Sequence, residues 1–101
     1  MKKIVVTVPV ESADKLRQAM GEAGAGKVGN YTFCSFSVRG TGRFLPGDGA
    51  QPAVGVVGKL ESVEEERIEV NCDDELVESV IASIRKAHPY EEPAIDVYTL
   101  G

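Results

Sequence analysis

The chain has 101 residues, 43% of them hydrophobic and 27% charged, and this balance predicts one globular domain spanning residues 1–101. Sixteen acidic against eleven basic side chains give a formal charge of −5, which argues against a nucleic-acid partner. No apolar run approaches the roughly 20 residues that a membrane-spanning helix needs, so no membrane partner is expected. The apolar stretch after Met1 ends at Pro9, too early for a signal peptide, and we therefore expect a cytoplasmic protein.

The first part of the chain predicts a strand, a helix and a second strand. Residues 3–9 are rich in β-branched side chains and form the first strand. Ser12 suits the N-cap of a helix that ends at the glycines of residues 24–26. Residues 31–39 alternate as a strand does. The side chains predicted to face the core are Ile4, Val6, Val8, Ala13, Leu16, Met20, Thr32, Cys34, Phe36 and Val38.

The second part begins with a long glycine-rich loop, residues 40–58, in which residues 54–57 are predicted to form one short strand. Residues 64–72 predict a further strand, and Asp73 suits the N-cap of the next helix. That helix ends at Pro89, and residues 94–100 predict a last strand. The apolar stripe of the helix consists of Leu76, Val77, Val80, Ile81 and Ile84.

The order of these elements is βαββαβ, which predicts an α+β, ferredoxin-like fold. In this fold two helices cover one face of a four-stranded antiparallel sheet. The other face has no helices to cover it, and we expect Val5, Thr7, Tyr31 and Phe33 to lie there. A half-apolar open face indicates burial against another copy of the chain.

Catalytic arrangements are scarce in this sequence, so an enzymatic role is not favoured. No serine lies in a nucleophile elbow, and no carboxylate pair is flanked by residues that would desolvate it. Cys34 and Cys72 belong to no C-x-x-C motif, and we expect both to be reduced and buried.

The most distinctive string is His-Pro-Tyr-Glu-Glu-Pro at residues 88–93, which contains the only histidine. Imidazole and carboxylate oxygen both suit a divalent metal such as zinc, so His88, Glu91 and Glu92 are candidate metal ligands. Further ligands would come from a cysteine or from a second subunit. The structural alternative is a rigid connection in which the prolines fix φ, Tyr90 packs, and His88 caps the helix.

The second distinctive string is the start of the glycine-rich stretch, residues 40–50. Backbone amides of such a loop can surround an anion, and neighbouring basic side chains would add positive charge. The string is neither a Walker loop nor a Rossmann fingerprint. The structural alternative is a compact loop whose glycines supply positive φ. The candidate ligand-binding residues are Gly40, Gly42, Arg43, Phe44, Pro46, Gly49 and, from the other string, Tyr90.

Several strings together resemble the inserted domain of the NGG1-interacting-factor family, also called the YqfO family. They are Gly29-Asn30-Tyr31, Cys34-Ser35-Phe36, residues 40–46, residues 49–52 and residues 88–94. The resemblance covers nearly the whole chain. The His-Pro-Tyr string also resembles the CutA divalent-cation-tolerance proteins.

The resemblance implies a PII/CutA-like variant of the ferredoxin-like fold and self-association as a trimer or dimer. It does not extend to the dinuclear metal site of full-length members, because that site lies on flanking domains that this sequence lacks. We therefore predict a non-catalytic, self-associating binding or regulatory module with a possible small-molecule ligand. The alternative is a divalent-metal-binding protein resembling CutA that uses His88 and nearby carboxylates.

Overall fold

A computed structural model describes all 101 residues, and its elements follow the predicted order βαββαβ. Short 3-10 turns, Val10–Ser12 and Asp74–Leu76, precede the two helices. The elements are β1 (Lys2–Pro9), α1 (Ala13–Glu22), β2 (Phe36–Phe44), β3 (Glu61–Cys72), α2 (Val77–Ala87) and β4 (Ile95–Thr99). The strands lie in the order β2-β3-β1-β4, and every neighbouring pair is antiparallel. The predicted fold class is confirmed.

The hydrophobic core lies between the two helices and one face of the sheet. Alternate residues of β1 and β3 meet there, and the register pairs Ile4 with Val70 and Val6 with Ile68. Burial of each large aliphatic side chain stabilises the fold by about 1.5–3 kcal/mol. The core residues are Ile4, Val6, Val8, Ala13, Leu16, Met20, Ala25, Ile68, Val70, Cys72, Val80 and Ile84.

Arg17 of α1 ties that helix to the β2–β3 pair. Its guanidinium donates to Glu66 at 2.6 Å and to Ser37 at 3.0 Å, and it also bonds Asp14 within its own helix. The bond to Asp14 and then the bond to Glu66 raise the pKa of Arg17. This cluster links α1 to the edge strand β2 and to its neighbour β3.

The boundaries of β2 differ from the prediction. The strand begins at Phe36 rather than Tyr31, and it continues to Phe44 through residues expected to form a loop. The preceding segment cannot continue the strand, because Phe33 has a φ of 59°. Gly26 links this segment to the end of β3, because its carbonyl accepts from the Cys34 amide and its own amide donates to the Asn71 carbonyl.

The predicted core face of that strand was also wrong. Phe36 and Val38 are 65% and 46% exposed. They belong to the face of the sheet opposite the helices, here called the open face, because their partners across β3 are Glu69 and Arg67. Of the residues expected on the open face, Val5 and Thr7 lie there. Phe33 does not, because its ring lies against Gly21 of α1, and Tyr31 precedes β2.

The long connection between β2 and β3 contains no regular element, so the short strand predicted at residues 54–57 is absent. Its own backbone bonds order the connection, including Gly58 N to Pro46 O at 2.8 Å. Ser12 and Asp73 precede their helical segments as predicted, but neither side chain makes a capping hydrogen bond. Neither helix, at 10 and 11 residues, is long and apolar enough to cross a membrane.

Candidate functional site

The two distinctive strings of the sequence meet on the open face, beside the β2–β3 pair. The backbone amide of Gln51 donates a hydrogen bond of 2.7 Å to the Glu91 carboxylate. The rings of Phe44 and Tyr90 lie edge to face, with centroids 5.7 Å apart and an interplanar angle of 61°. The glycine-rich connection and the α2–β4 connection therefore form one continuous surface.

His88 fixes the path of the α2–β4 connection. Its backbone amide bonds the Ile84 carbonyl and ends α2, and its side chain is 6% exposed. The Nε2 atom lies 2.7 Å from the Thr7 carbonyl oxygen, and Nδ1 accepts a bond of 3.1 Å from the amide of Tyr90. A carbonyl requires a donor and an amide requires an acceptor, so the ring carries its proton on Nε2.

Tyr90 and Glu65 form a hydrogen-bonded pair at the base of this surface, in which Glu65 is buried and Tyr90 is partly buried. The Tyr90 hydroxyl donates to Glu65 Oε2 at 2.8 Å, and Glu65 is only 7% exposed. Burial disfavours the phenolate and raises the pKa of Tyr90 far above its usual range. The bond to Glu65 and the charge of that carboxylate act in the same direction.

Gly42 provides the space in which the Glu65 carboxylate lies. A Cβ at this position would overlap the carboxylate oxygens, whereas a Cβ at Gly40 would meet nothing within 4 Å. Neither glycine has positive φ, and both are part of β2. The stretch predicted to be an anion-binding loop is therefore part of strand β2 at these two residues.

The open-face surface encloses a pocket of about 650 Å³, here called the open-face pocket. This volume lies within the range of small-molecule sites. Six of the seven predicted ligand-binding residues line it: Gly40, Gly42, Arg43, Phe44, Pro46 and Tyr90. Gly49 does not. Strand alternation places the side chain of Arg43 on the opposite side of β2 from Gly42 and Phe44.

Several lining residues were not predicted from the sequence, above all Glu65, Thr7, Arg67 and Val38. Alternation along β3 could have indicated Glu65 and Arg67, because Ile68 and Val70 mark the opposite face. Alternation places Glu64 and Glu66 on the opposite face from Glu65, but no local pattern indicates that Glu65 is buried.

The three predicted metal ligands are placed differently from one another. Glu91 and Glu92 line the pocket, but His88 does not, and both of its ring nitrogens are engaged in hydrogen bonds. No group of three or more His, Cys, Asp or Glu side chains is arranged to hold a metal ion. Metal binding through these residues stays a prediction, and it would require the His88 ring to leave its present bonds.

The fold is that of the CutA-like proteins. The periplasmic divalent cation tolerance protein CutA from Archaeoglobus fulgidus superposes on 99% of this chain with a TM-score of 0.71 and 20% identity. The match covers 84% of that protein. CutA1 from Pyrococcus horikoshii is similar, with a TM-score of 0.72, 20% identity, and coverage of 99% of this chain and 83% of its own. At this identity the likeness concerns the fold.

Relatives with higher identity are longer proteins. A Bacillus cereus protein related to NIF3 shares 50% identity over 98% of this chain and 25% of its own, with a TM-score of 0.85. The GTP cyclohydrolase 1 type 2 homolog of Mycobacterium tuberculosis is 50% identical over 100 residues, which are 99% of this chain and 26% of that protein. The Bacillus subtilis homolog of the same name is 47% identical over 97% of this chain and 26% of its own.

This chain spans about a quarter of the length of the curated relatives it matches. No family model matches the chain. The chain is therefore similar in fold to the CutA proteins and similar in sequence to one segment of the GTP cyclohydrolase 1 type 2 homologs.

Proposed function

We propose that this chain is a non-catalytic, self-associating module that binds a small ligand in the open-face pocket. It corresponds to the segment inserted in proteins of the NGG1-interacting-factor (YqfO) family. The observation that carries the proposal is the convergence of two otherwise unrelated connections on one pocket, joined at Gln51–Glu91 and Phe44–Tyr90. Binding residues are found disproportionately on connections that a rigid scaffold holds in place, as these two are.

The composition of the pocket supports ligand binding. Most of a small-molecule site is apolar, with a few polar groups that fix orientation. The apolar part of this pocket includes Val38, Phe44 and Pro46, and its polar groups include Glu65 and Arg67. The hydrogen bonds of His88 and Tyr90 hold the wall in place before a ligand arrives, which reduces the entropy lost on binding.

Self-association is supported by the apolar side chains that remain uncovered on the open face. Phe36, Val38 and Tyr98 are all at least two-fifths exposed, and strand register places them on the same face as Val5. Large apolar side chains grouped on one face favour burial in an interface. Because Val38 also lines the pocket, association and ligand binding would involve neighbouring surfaces.

Native mass spectrometry of the freshly purified chain tests the proposal. We expect an oligomer that carries extra mass, and we expect Phe44→Ser to lose that mass. Leu60→Ser is the matched control, because Leu60 is exposed and lies outside the pocket lining. A bare monomer would contradict both parts of the proposal, and extra mass retained by Phe44→Ser would contradict the location of the site.

A chelator added in the same experiment addresses the alternative, a CutA-like metal-binding protein. Loss of the extra mass on chelation, together with its loss in His88→Ala, would favour metal. Extra mass that survives chelation favours an organic ligand. This comparison separates the two functions whatever the identity of the ligand.

A further inference from the structure

The hydrogen bonds of Glu65 leave one of its carboxylate oxygens without a partner. Oε2 accepts from the Tyr90 hydroxyl, whereas no protein group donates to Oε1. Every fully enclosed side-chain oxygen and nitrogen in this structure has a partner. Oε1 therefore retains accessible surface, and the surface that Glu65 shares with its neighbours is the open-face pocket. A side chain that is more than nine-tenths buried thus offers a free acceptor to whatever occupies the pocket.

No cation of the protein balances this carboxylate. Glu65 belongs to none of the ion pairs of the structure. Arg67 follows it on the same face of β3, but the Arg67 Nε atom bonds Glu69 Oε2 at 3.2 Å. A buried carboxylate with a single neutral donor lacks the paired charge that usually accompanies burial.

The charges that act on the Tyr90 hydroxyl are acidic. Beyond the larger effect of burial, the negative charges of Glu65, Glu11 and Glu61 raise the pKa of Tyr90. Three carboxylates, Glu65, Glu91 and Glu92, and three arginines, Arg39, Arg43 and Arg67, line the pocket. Strand alternation places the side chains of Arg39 and Arg43 on the side of β2 opposite Gly40 and Gly42, and Arg67 Nε bonds Glu69. The potential at the base of the pocket therefore favours a cation over an anion.

The other residues that line the pocket indicate the shape of a cationic ligand that would fit beside Glu65. Phe44 and Tyr90 present aromatic surface beside Glu65, and Pro46 and Pro52 add rigid apolar surface. A cationic N–H donor makes a strong, charge-assisted hydrogen bond to a carboxylate oxygen, and Oε1 is the oxygen without a partner. A ligand with a cationic planar N–H group on an apolar ring suits both the Glu65 carboxylate and the apolar wall of the pocket.

We infer that the open-face pocket takes a ligand that presents a cationic N–H donor group, of the amidinium, guanidinium or protonated amino-heterocycle class, to Glu65. This inference rests on the proposed small-ligand function and names the chemical class of that ligand. It reverses the expectation from the glycine-rich string, which pointed to an anion. Gly42 contributes to the same site, because a side chain at this position would occupy the space in which the Glu65 carboxylate lies.

Three probes of nearly the same shape test the inference: benzamidine, neutral benzamide and anionic benzoate. Each is titrated into the nitrogen-15-labelled full chain while amide shifts are followed by NMR. We expect benzamidine to shift the amides of Gly42 and Tyr90 with an affinity about tenfold above that of benzamide, as a charge-assisted pair predicts, and benzoate to bind least.

Two variants locate the effect. Glu65→Gln keeps an oxygen acceptor for the Tyr90 hydroxyl, so the fold is preserved, but it removes the charge; the preference for benzamidine should disappear. Glu64→Gln is the control, because Glu64 is exposed on the opposite face and bonds Thr41. The amide spectrum of each variant reports whether it is folded.

The outcomes separate this inference from the proposed function. Equal affinity for benzamidine and benzamide, or a preference that survives Glu65→Gln, overturns the cationic class while the pocket remains a small-molecule site. Absence of pocket shifts with all three probes overturns the inference and also counts against ligand binding in the pocket. A benzamidine preference lost only in Glu65→Gln supports both.

Discussion

The Glu65 carboxylate occupies the space that a side chain at Gly42 would need, and this match is diagonal across the β2–β3 pair, because the register pairs Glu65 with Gly40 and Gly42 with Val63. The Glu65 carboxylate therefore lies beside β2 at Gly42, a position that has no side chain to cover it. Tyr90 then donates to this group from a distant connection. Three segments of the chain thus depend on one another at the base of the pocket.

Gly42→Ala should destabilise the protein, because its methyl group would displace the Glu65 carboxylate. Forcing a group into an occupied space costs about 1–3 kcal/mol. Gly40→Ala is the matched control in the same strand, since nothing lies within 4 Å of its Cβ position. Urea unfolding measures both, and equal stability of the two variants would contradict the match between residues 42 and 65.

Tyr90→Phe should lower the free energy of unfolding by about 1.5–3 kcal/mol, the range for a hydrogen bond to a charged group. The ring contact with Phe44 is retained, so the loss reports the hydroxyl alone. Tyr31→Phe, at an exposed tyrosine outside the sheet, should change stability little. Chemical unfolding at neutral pH measures both, and a neutral effect of Tyr90→Phe would show that the Glu65 bond contributes nothing net.

The same phenol predicts a pH dependence. Burial, and then the bond to Glu65, raises the pKa of Tyr90 from its ordinary value of 10.0. The folded state therefore holds this proton more tightly than the unfolded chain does. The associated stability is fully present below about pH 10 and is lost as pH rises through and beyond that value. The wild type should lose more unfolding free energy above pH 10 than Tyr90→Phe, and parallel curves would contradict the assignment.

Glu91→Ala should loosen the glycine-rich connection without unfolding the sheet. The carboxylate is the partner of the Gln51 amide, and the connection has no regular element of its own. Hydrogen exchange at Gln51 should become faster, while the amides of β1 and β3 keep their protection. Glu92→Ala is the control, because the Glu92 carboxylate accepts no such bond; an equal effect in both variants would argue against the Gln51–Glu91 contact.

Phe36→Asp should shift the chain towards monomer if the open face is the self-association surface. A charged group at a position that is 65% exposed costs little in the monomer but much in an apolar interface. Tyr31→Asp changes an aromatic residue outside the sheet that is even more exposed, at 74%, and should leave association unchanged. Sedimentation velocity measures both. A Phe36→Asp variant with the wild-type mass would exclude this face.

The amino-acid sequence by itself determined the element order, the two helices and the inner strands. Ile4, Val6 and Val8 alternate, and Val80 and Ile84 recur at helical spacing, because each periodic face is buried against the other. The residues buried on one face therefore recur in the sequence with the period of the strand or the helix. α2 likewise ends where Pro89 requires, with His88 in an extended conformation.

Only the tertiary structure decided the course of β2 and the composition of the pocket. β2 is an edge strand in which apolar and polar side chains alternate, but its apolar face is the open face and not the face under the helices, so alternation alone predicted the wrong side as core. Gly40 and Gly42 indicate a loop by local chemistry, whereas the Glu65 carboxylate requires the smaller residue within a strand. The pairing of Glu65 with Tyr90 spans 25 positions, and no local pattern encodes a contact that depends on how separate connections pack.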